Sequence, residues 1–239
     1  KTAYEIPKRD WSSDVCSSDL KNQMTAPPRL TIKNMLNMAT KPHWCLGMLQ
    51  TKRHGFSNII GHATGVENLT SLSDWSAKTL MRTLNWDDLD WIIKRWGGKV
   101  ILKGIQDVED AKMAVKTGAD AIIVSNHGGR QLDGALSSIR SLPSIIDAVG
   151  DQIEVWMDGG IRSGQDVAKA VSLGAKGVMI GRPFIYGLGA MGQKGVSKAL
   201  DIIHKELDTT MALCGERNIT NMSRDNLLIP KDFRGDWEK

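Results

Sequence analysis

Cysteine is scarce in this 239-residue chain, and the three present, Cys16, Cys45 and Cys214, are far apart and odd in number. They fit neither a disulfide framework nor a zinc site, and they suit a reducing cytosol. No apolar run approaches the roughly eighteen residues that a membrane-spanning helix needs. The first residues are polar and lack the apolar centre of a secretory signal. An excess of one charge is also lacking: 31 Lys and Arg stand against 27 Asp and Glu, a net charge of +4. No segment gathers its Lys and Arg as a polybasic arm would, so nucleic acid is not an expected partner. Among the five histidines, His43, His54, His62 and His204 read as ordinary polar side chains. His54 and His62 lack a matching third ligand, so no metal site is expected.

What is present begins with an odd tail. Residues 1–20 read KTAYEIPKRDWSSDVCSSDL, in which SSDV is followed by CSSDL. Neither a helical nor a strand period runs through it. KTAYEI and RDWSSDVCSSDL resemble a translated, indexed sequencing primer, with Pro7 and Lys8 where the index would fall. This reading makes 1–20 a disordered artefact that belongs outside fold reasoning. Ser12, Asp14 and Cys16 then carry no function, and the true preceding segment is absent.

Residues 21–78 are irregular, with Pro27, Pro28, Pro42 and many Gly, Asn and Ser. Ile32, Met35, Leu36 and Met38 recur near helical spacing and predict a short helix over 31–39. The remainder reads as a long loop, of the kind that serves as a lid or excursion. The expected organisation is therefore a tail (1–20), an excursion with one short helix (21–84) and a regular α/β region (85–239).

The regular region opens with Asn85, placed to cap WDDLDWIIKRW. Asp87 and Asp88 fall in the first turn, Lys94 and Arg95 in the last, and Gly97-Gly98 beyond it. Four short apolar runs follow, at 99–103, 121–125, 153–158 and 177–181. They are too short for helices and suit the covered strands of a parallel sheet. Helical segments lie at 107–117, 163–173 and 196–213. AVKTGADAIIVSN (114–126) and AVSLGAKGVMIGR (170–182) align as an internal repeat, so Ser125 matches Gly181. A repeated helix-Gly-strand unit is the βαβ pattern. Four such units leave two architectures open, a doubly wound sheet or part of an eight-stranded barrel.

In either architecture, functional residues gather past the carboxyl ends of the strands. Those ends read Lys103-Gly104, Ser125-Asn126-His127-Gly128-Gly129-Arg130, Asp158-Gly159-Gly160-Ile161-Arg162 and Gly181-Arg182. One Lys, one His and three Arg are thereby brought to one end of the sheet, which suits a catalytic pocket for anions. Gly159 and Gly160 let backbone N–H groups approach an anion, and Ser163-Gly164 opens a helix there. Arg162 and Arg182 add charge-assisted contacts. His127 is an imidazole that can accept a substrate proton. Arg130, three residues on, can grip a carboxylate with both arms.

SNHGGRQLDG (125–134) resembles the signature of the FMN-dependent α-hydroxy-acid dehydrogenase and oxidase family. LKGI (102–105), DGGIRSG (158–164) and IGRP (180–183) stand at that family's spacing. The resemblance covers about 21–229 and is greatest to bacterial L-lactate dehydrogenases. It implies a TIM (β/α)8 barrel of which this chain carries the C-terminal half, strands five to eight. It implies FMN as cofactor and oxidation of an L-2-hydroxy acid, L-lactate first, to the 2-oxo acid. His127 resembles the family's base and Arg130 its carboxylate clamp. Lys103 resembles the lysine at the flavin N1 edge, and Ser125 a flavin contact. Asp158, Gly159, Gly160, Arg162, Gly181 and Arg182 are similar to its ribityl and phosphate site. Gln131 and Asp133 match without an assigned role. Oxygen or a respiratory quinone or cytochrome would take the electrons, and the full-length protein would be a homo-oligomer.

The departures are as informative. The family's first four strands, its tyrosines, the aspartate that orients the base and a second arginine have no counterpart. Tyr4 lies in the tail and Tyr186 beyond Arg182. A half-barrel would expose two sheet edges and an inner face, so the isolated chain is expected to bind FMN weakly and turn over poorly. Two rival readings remain: a catalytically incompetent fragment, and another FMN-linked barrel enzyme such as an isomerase or amidotransferase-type synthase. The excursion adds a further option. Trp44, Phe56 and Trp75, with Lys41, Lys52 and Arg53, suit peripheral contact with the inner face of the cell membrane. A lid packing on its own barrel suits them equally. The location is cytoplasmic on either reading.

Overall fold

The computed structural model describes residues 31–51, 59, 62–66, 71, 75, 84–132, 134–231 and 233. The tail at 1–20 and Asp133 lie outside the described residues. The chain divides into two units, Lys1–Leu84 and Asn85–Lys239.

The first unit holds two helices, α1 (Ile32–Ala39) and α2 (Pro42–Gln50). Thr31 caps α1, its hydroxyl accepting the Asn34 N–H at 3.2 Å, so the helix expected at 31–39 is present. The sequence reads as loop over the stretch that forms α2. Pro42 starts this helix instead of breaking it, because the first helical position needs no N–H donor.

The second unit alternates helix and strand. Its elements are α3 (Asp87–Trp96), β1 (Ile101–Ile105), α4 (Val108–Lys116), β2 (Ala121–Val124), α5 (Ser138–Val149), β3 (Glu154–Asp158), α6 (Gly164–Ser172), β4 (Gly177–Met179) and α7 (Arg182–Leu213). The strands pair in parallel in the order β1-β2-β3-β4. A doubly wound sheet reverses direction at a switch point. This one keeps sequential order throughout, as a segment of a (β/α)8 barrel does.

Capping residues set the helix starts. The Asn85 carboxamide accepts the N–H groups of Asp87 and Asp88, and Asp88 accepts from Asn85 in return. Asp107 caps α4, and Ser163 with Asp166 forms a capping box on α6. α5 was not anticipated, and it contains Pro143 in its interior. α7 begins fourteen residues before the helix expected at 196, with non-helical backbone at Met191 and Gly192. Any side chain on Gly164 would meet the backbone of Glu206 and Leu207, so α6 and α7 approach backbone to backbone.

Strand alternation sorts the sheet into two faces. Ile122, Val124, Val155 and Met157 face the helices and are almost fully buried. They pack with Ala111 and Ala114 of α4, Leu142, Ile145 and Val149 of α5, and Ala170 of α6. Burying each large apolar side chain stabilises the fold by about 1.5–3 kcal/mol. The register places Ile101, Lys103, Ala121, Ile123, Glu154, Trp156, Asp158 and Met179 on the opposite, inner face. At Gly104 (φ 102°) the pairing slips, so Ile105 aligns with Val124 and joins the core. Only glycine enters that backbone region without strain. This bulge is why β1 runs to Ile105, two residues past the expected end at Lys103.

Candidate functional site

The inner face and the carboxyl ends of the strands converge on Lys103. Its ammonium donates to Ser125 Oγ at 3.1 Å and pairs with Asp158 Oδ2 at 3.0 Å. Three adjacent strands thus meet in one polar contact. Lys103 lies within β1 on the inner face, and Asp158 is the last residue of β3. Asp158 Oδ1 is buried and has no hydrogen-bond partner. A buried carboxylate oxygen without a donor is costly and marks a place where a ligand hydroxyl or N–H fits.

The loop after β2 carries His127. Ser125 Oγ accepts the His127 N–H at 3.1 Å, and Asn126 Oδ1 accepts the Gly128 N–H at 3.0 Å. His127, Gly128 and Gly129 have φ of 54°, 68° and 73°. A left-handed backbone is uncommon for a non-glycine residue and often accompanies a functional constraint. The turn exposes His127 and brings its ring against Gly104, where an added Cβ would lie 2.7 Å from Cε1. Arg130 is also exposed and ends the same turn.

Two contacts fix this loop to its neighbours. Arg182 Nη2 donates to the Gly128 carbonyl at 2.6 Å, tying the residue after β4 to the loop after β2. Gly159 sits against Asn126 Oδ1 and Ser138 Oγ, each 3.0 Å from where a Cβ would be. Ser138 is buried, and its hydroxyl accepts the Asn126 N–H at 3.1 Å. Asn126 and Ser138 are support residues that sequence reasoning missed. Asn126 stood inside the quoted motif without a role, and Ser138 carried no signal because α5 itself was not foreseen.

Lys103, Ser125, His127, Arg130, Asp158, Gly159, Gly160, Arg162, Gly181 and Arg182 all lie on or just past the carboxyl ends of these four strands. One expected feature is corrected. The sequence leaves the start of α6 open to an anion, whereas protein carboxylates occupy it. Asp166 Oδ2 accepts from the N–H groups of Arg162 and Ser163, and Glu206 Oε2 accepts from Gly164 at 3.0 Å. Two negative charges at that helix start disfavour a third. Gly159, Gly160 and Gly181 and the two exposed arginines, Arg162 and Arg182, lie past the strand ends outside that capped start.

A cavity of about 660 Å³ opens behind the Gly159-Gly160 turn, lined by Met157, Ile161, Leu173, Leu227 and Phe233 among others. Gly159 and Gly160 border it, whereas Lys103 and His127 do not. Among the described residues there is no cluster of metal-ligating side chains, and no helix is long and apolar enough to cross a membrane.

Comparison with known proteins agrees with this geometry. A family model described as FMN-dependent dehydrogenase matches residues 13–229. An L-lactate dehydrogenase of Azorhizobium caulinodans is 47% identical over 197 residues, covering 82% of this chain and 52% of that protein. One from Caulobacter sp. (strain K31) is 44% identical over 213 residues, covering 87% of this chain and 55% of that protein. The chain therefore spans about half the length of the curated relatives it matches. Among solved structures, the monotopic membrane protein (S)-mandelate dehydrogenase superposes with a TM-score of 0.82 at 34% identity. The match covers 88% of this chain and 55% of that one. A mandelate oxidase variant carrying an FMN adduct gives a TM-score of 0.57 at 45% identity, over 59% of this chain and 45% of that one. With a family match across most of its length and a sequential parallel sheet to accommodate it, this chain belongs to the FMN-dependent dehydrogenase family.

Proposed function

We propose that this chain supplies the base, the carboxylate clamp and the cofactor cradle of an enzyme that oxidises an L-2-hydroxy acid, L-lactate first, to the 2-oxo acid. The observation that carries the proposal is the single rim on which Lys103 bridges Asp158 and Ser125 while Arg182 holds the His127 turn. FMN, when bound, supplies the two-electron acceptor for this oxidation.

The residues present fit that cofactor. The unpartnered Asp158 Oδ1 is suited to a ribityl hydroxyl. Lys103 offers a cation for the electron-rich edge of the flavin ring, with Ser125 beside it. Gly159, Gly160 and Gly181 leave room for backbone contact with a phosphate, and Arg162 and Arg182 supply opposite charge. Arg130 would hold the substrate carboxylate by both guanidinium arms, orienting the hydroxyl-bearing carbon. His127 would take a proton from the substrate, its exposed ring standing three residues from the clamp. Oxygen or a respiratory quinone or cytochrome is the final electron acceptor in this reading.

The pairing of His127 with Arg130 favours a 2-hydroxy-acid enzyme over another FMN-linked barrel enzyme, whose phosphate loop would be similar without that pair. The deciding experiment is a chimaera in which residues 85–229 replace the matching part of the Azorhizobium caulinodans L-lactate dehydrogenase. Anaerobic L-lactate should bleach its flavin. A folded chimaera that holds FMN but is bleached by no L-2-hydroxy acid would refute the proposal.

A second reading concerns the first unit. Its two helices present apolar side chains to solvent, and the matched (S)-mandelate dehydrogenase is a monotopic membrane protein. Peripheral contact with the cytoplasmic side of the cell membrane through this unit accounts for both. Binding of the chain to lipid vesicles is its test.

A further inference from the structure

Among the described residues from His127 to Leu136 none is buried. Apolar packing therefore does not hold this loop, and hydrogen bonds decide where His127 and Arg130 stand. Arg182 holds the turn from the β4 side. A second hold comes from one side chain that reaches both ends of the loop. The Asn126 carboxamide oxygen accepts the Gly128 N–H at 3.0 Å, and its Nδ2 donates to the Leu136 carbonyl at 3.4 Å. Gly128 follows His127 in the turn, and Leu136 lies beyond Arg130 on the way to α5. The carboxamide admits one orientation here. Turned end for end, its NH2 would face an N–H donor and its oxygen a carbonyl, and both bonds would be lost.

Each arm is fixed from another element. On the turn side, Ser138 of α5 is buried, and its hydroxyl accepts the Asn126 backbone N–H at 3.1 Å. That hydroxyl and Asn126 Oδ1 both crowd Gly159, so neither has room to shift toward the turn after β3. On the loop side, the Leu136 carbonyl also accepts from Gln106 Nε2 at 2.9 Å. Gln106 directly follows β1, the strand whose Gly104 lies against the His127 ring.

We propose that Asn126 is a positioning residue whose carboxamide is a crossbar setting the separation of His127 and Arg130, with Ser138 and Gln106 holding its two arms. This rests on the reading of His127 as base and Arg130 as clamp. In a 2-hydroxy acid the carboxylate and the hydroxyl-bearing carbon are directly bonded. A small error in the separation of clamp and base is therefore costly in rate, and side chains locked by hydrogen bonds beneath them prevent it. Asn126 acts through those two side chains.

The test follows the His127 and Arg130 side-chain resonances of the whole 239-residue chain by NMR, with oxalate as probe. Oxalate can place one carboxylate on the guanidinium and the other toward the imidazole, and it should move both resonances in the unaltered chain. Ser138→Ala loosens the turn arm and should displace the His127 resonance while Arg130 stays in place. Ser138→Thr keeps a hydroxyl and should leave His127 where the unaltered chain has it. Gln106→Leu loosens the loop arm and should displace Arg130 with His127 in place. Asn126→Ala removes both arms and should displace both. A hydrogen bond is worth a net factor of about two to ten. Ser138→Ala and Gln106→Leu should each weaken oxalate by that factor and Asn126→Ala by more, all with unchanged circular dichroism. Resonances and oxalate affinity unaltered by these variants overturn the proposal and leave the base and clamp standing. Displacement of both resonances by each single-arm variant also overturns it, because the arms would then not be separate. Oxalate that moves neither resonance in the unaltered chain overturns the base-and-clamp reading, and the proposal falls with it. Ser138→Ala and Gln106→Leu decide the matter even where Asn126→Ala does not fold.

Discussion

Ile122, Val124, Val155 and Met157 look outward from the sheet onto α4, α5 and α6 and are almost dry. Lys103, Glu154, Trp156 and Asp158, one residue out of step on the same strands, look the other way and stay half-buried or exposed. The outward face is continuous and apolar, and it stabilises the fold by burial alone. The inner face carries an ion pair, a hydroxyl and a buried oxygen that lacks a donor. Such a set is poor material for stability, since desolvating an ion pair offsets most of its attraction. One sheet thus separates folding from chemistry by the two-residue period of a strand.

Substitutions can break this separation. The largest effect should come from His127→Asn in the chimaera. It should slow L-lactate-driven flavin reduction by about 10²–10⁴-fold with an unchanged urea midpoint. A stopped-flow trace within threefold of the parent would remove His127 from the chemistry. Ile122→Ala, on the outward face, should do the reverse. It should cost about 2–4 kcal/mol in urea unfolding and leave the rate per bound flavin unchanged. Gly104→Ala joins the two faces, because its Cβ would press on His127 and its φ of 102° is strained for alanine. A loss of about 1–3 kcal/mol is expected together with a displaced His127 imidazole resonance. An unmoved resonance would show that the ring does not rest there.

The smallest effect belongs to the exposed pair Lys99 and Asp120, at the amino ends of β1 and β2 and away from the rim. The Lys99 hydrogen bond, and then the Val100 N–H, hold the Asp120 carboxyl below its usual range. The Asp120 carboxylate holds Lys99 above its own. Asp120 therefore contributes above its unfolded pKa, and the contribution is lost as pH falls through the lower folded value. Lys99 contributes below its unfolded pKa and loses that contribution as pH rises through the higher folded value. Asp120→Asn should slightly lower the melting temperature at neutral pH and flatten its acid decline. A parallel decline in both proteins would mean that the pair contributes nothing measurable.

Much of the sheet was legible because apolar runs bounded by Gly-Ala pairs leave a buried parallel strand as the reading. β2 and β3 fall within a residue of expectation. The Gly104 bulge was hidden, since a register slip depends on the partner strand. α2 was hidden by Pro42, which stands among the signs of an irregular stretch although the first helical position tolerates it, and α5, with Pro143 inside it, carries no reading in the sequence. On the rim, the rule that function follows strand ends brought Lys103, His127, Asp158 and Arg182 together. It could not foresee Glu206 at the start of α6, because that contact spans 42 residues of sequence. Nor could it foresee Ser138 beneath Asn126, which only tertiary packing supplies.

The central claim is that one rim, on the inner side of this sheet, holds both flavin and substrate. A crystal structure of the chimaera grown with FMN tests it most directly. The account predicts the flavin ring beside Lys103 and His127, a ribityl hydroxyl on Asp158 Oδ1, and the phosphate at Gly181 and Arg182. Flavin density in the apolar cavity beside Leu227, or anywhere on the outward side of the sheet, would contradict it.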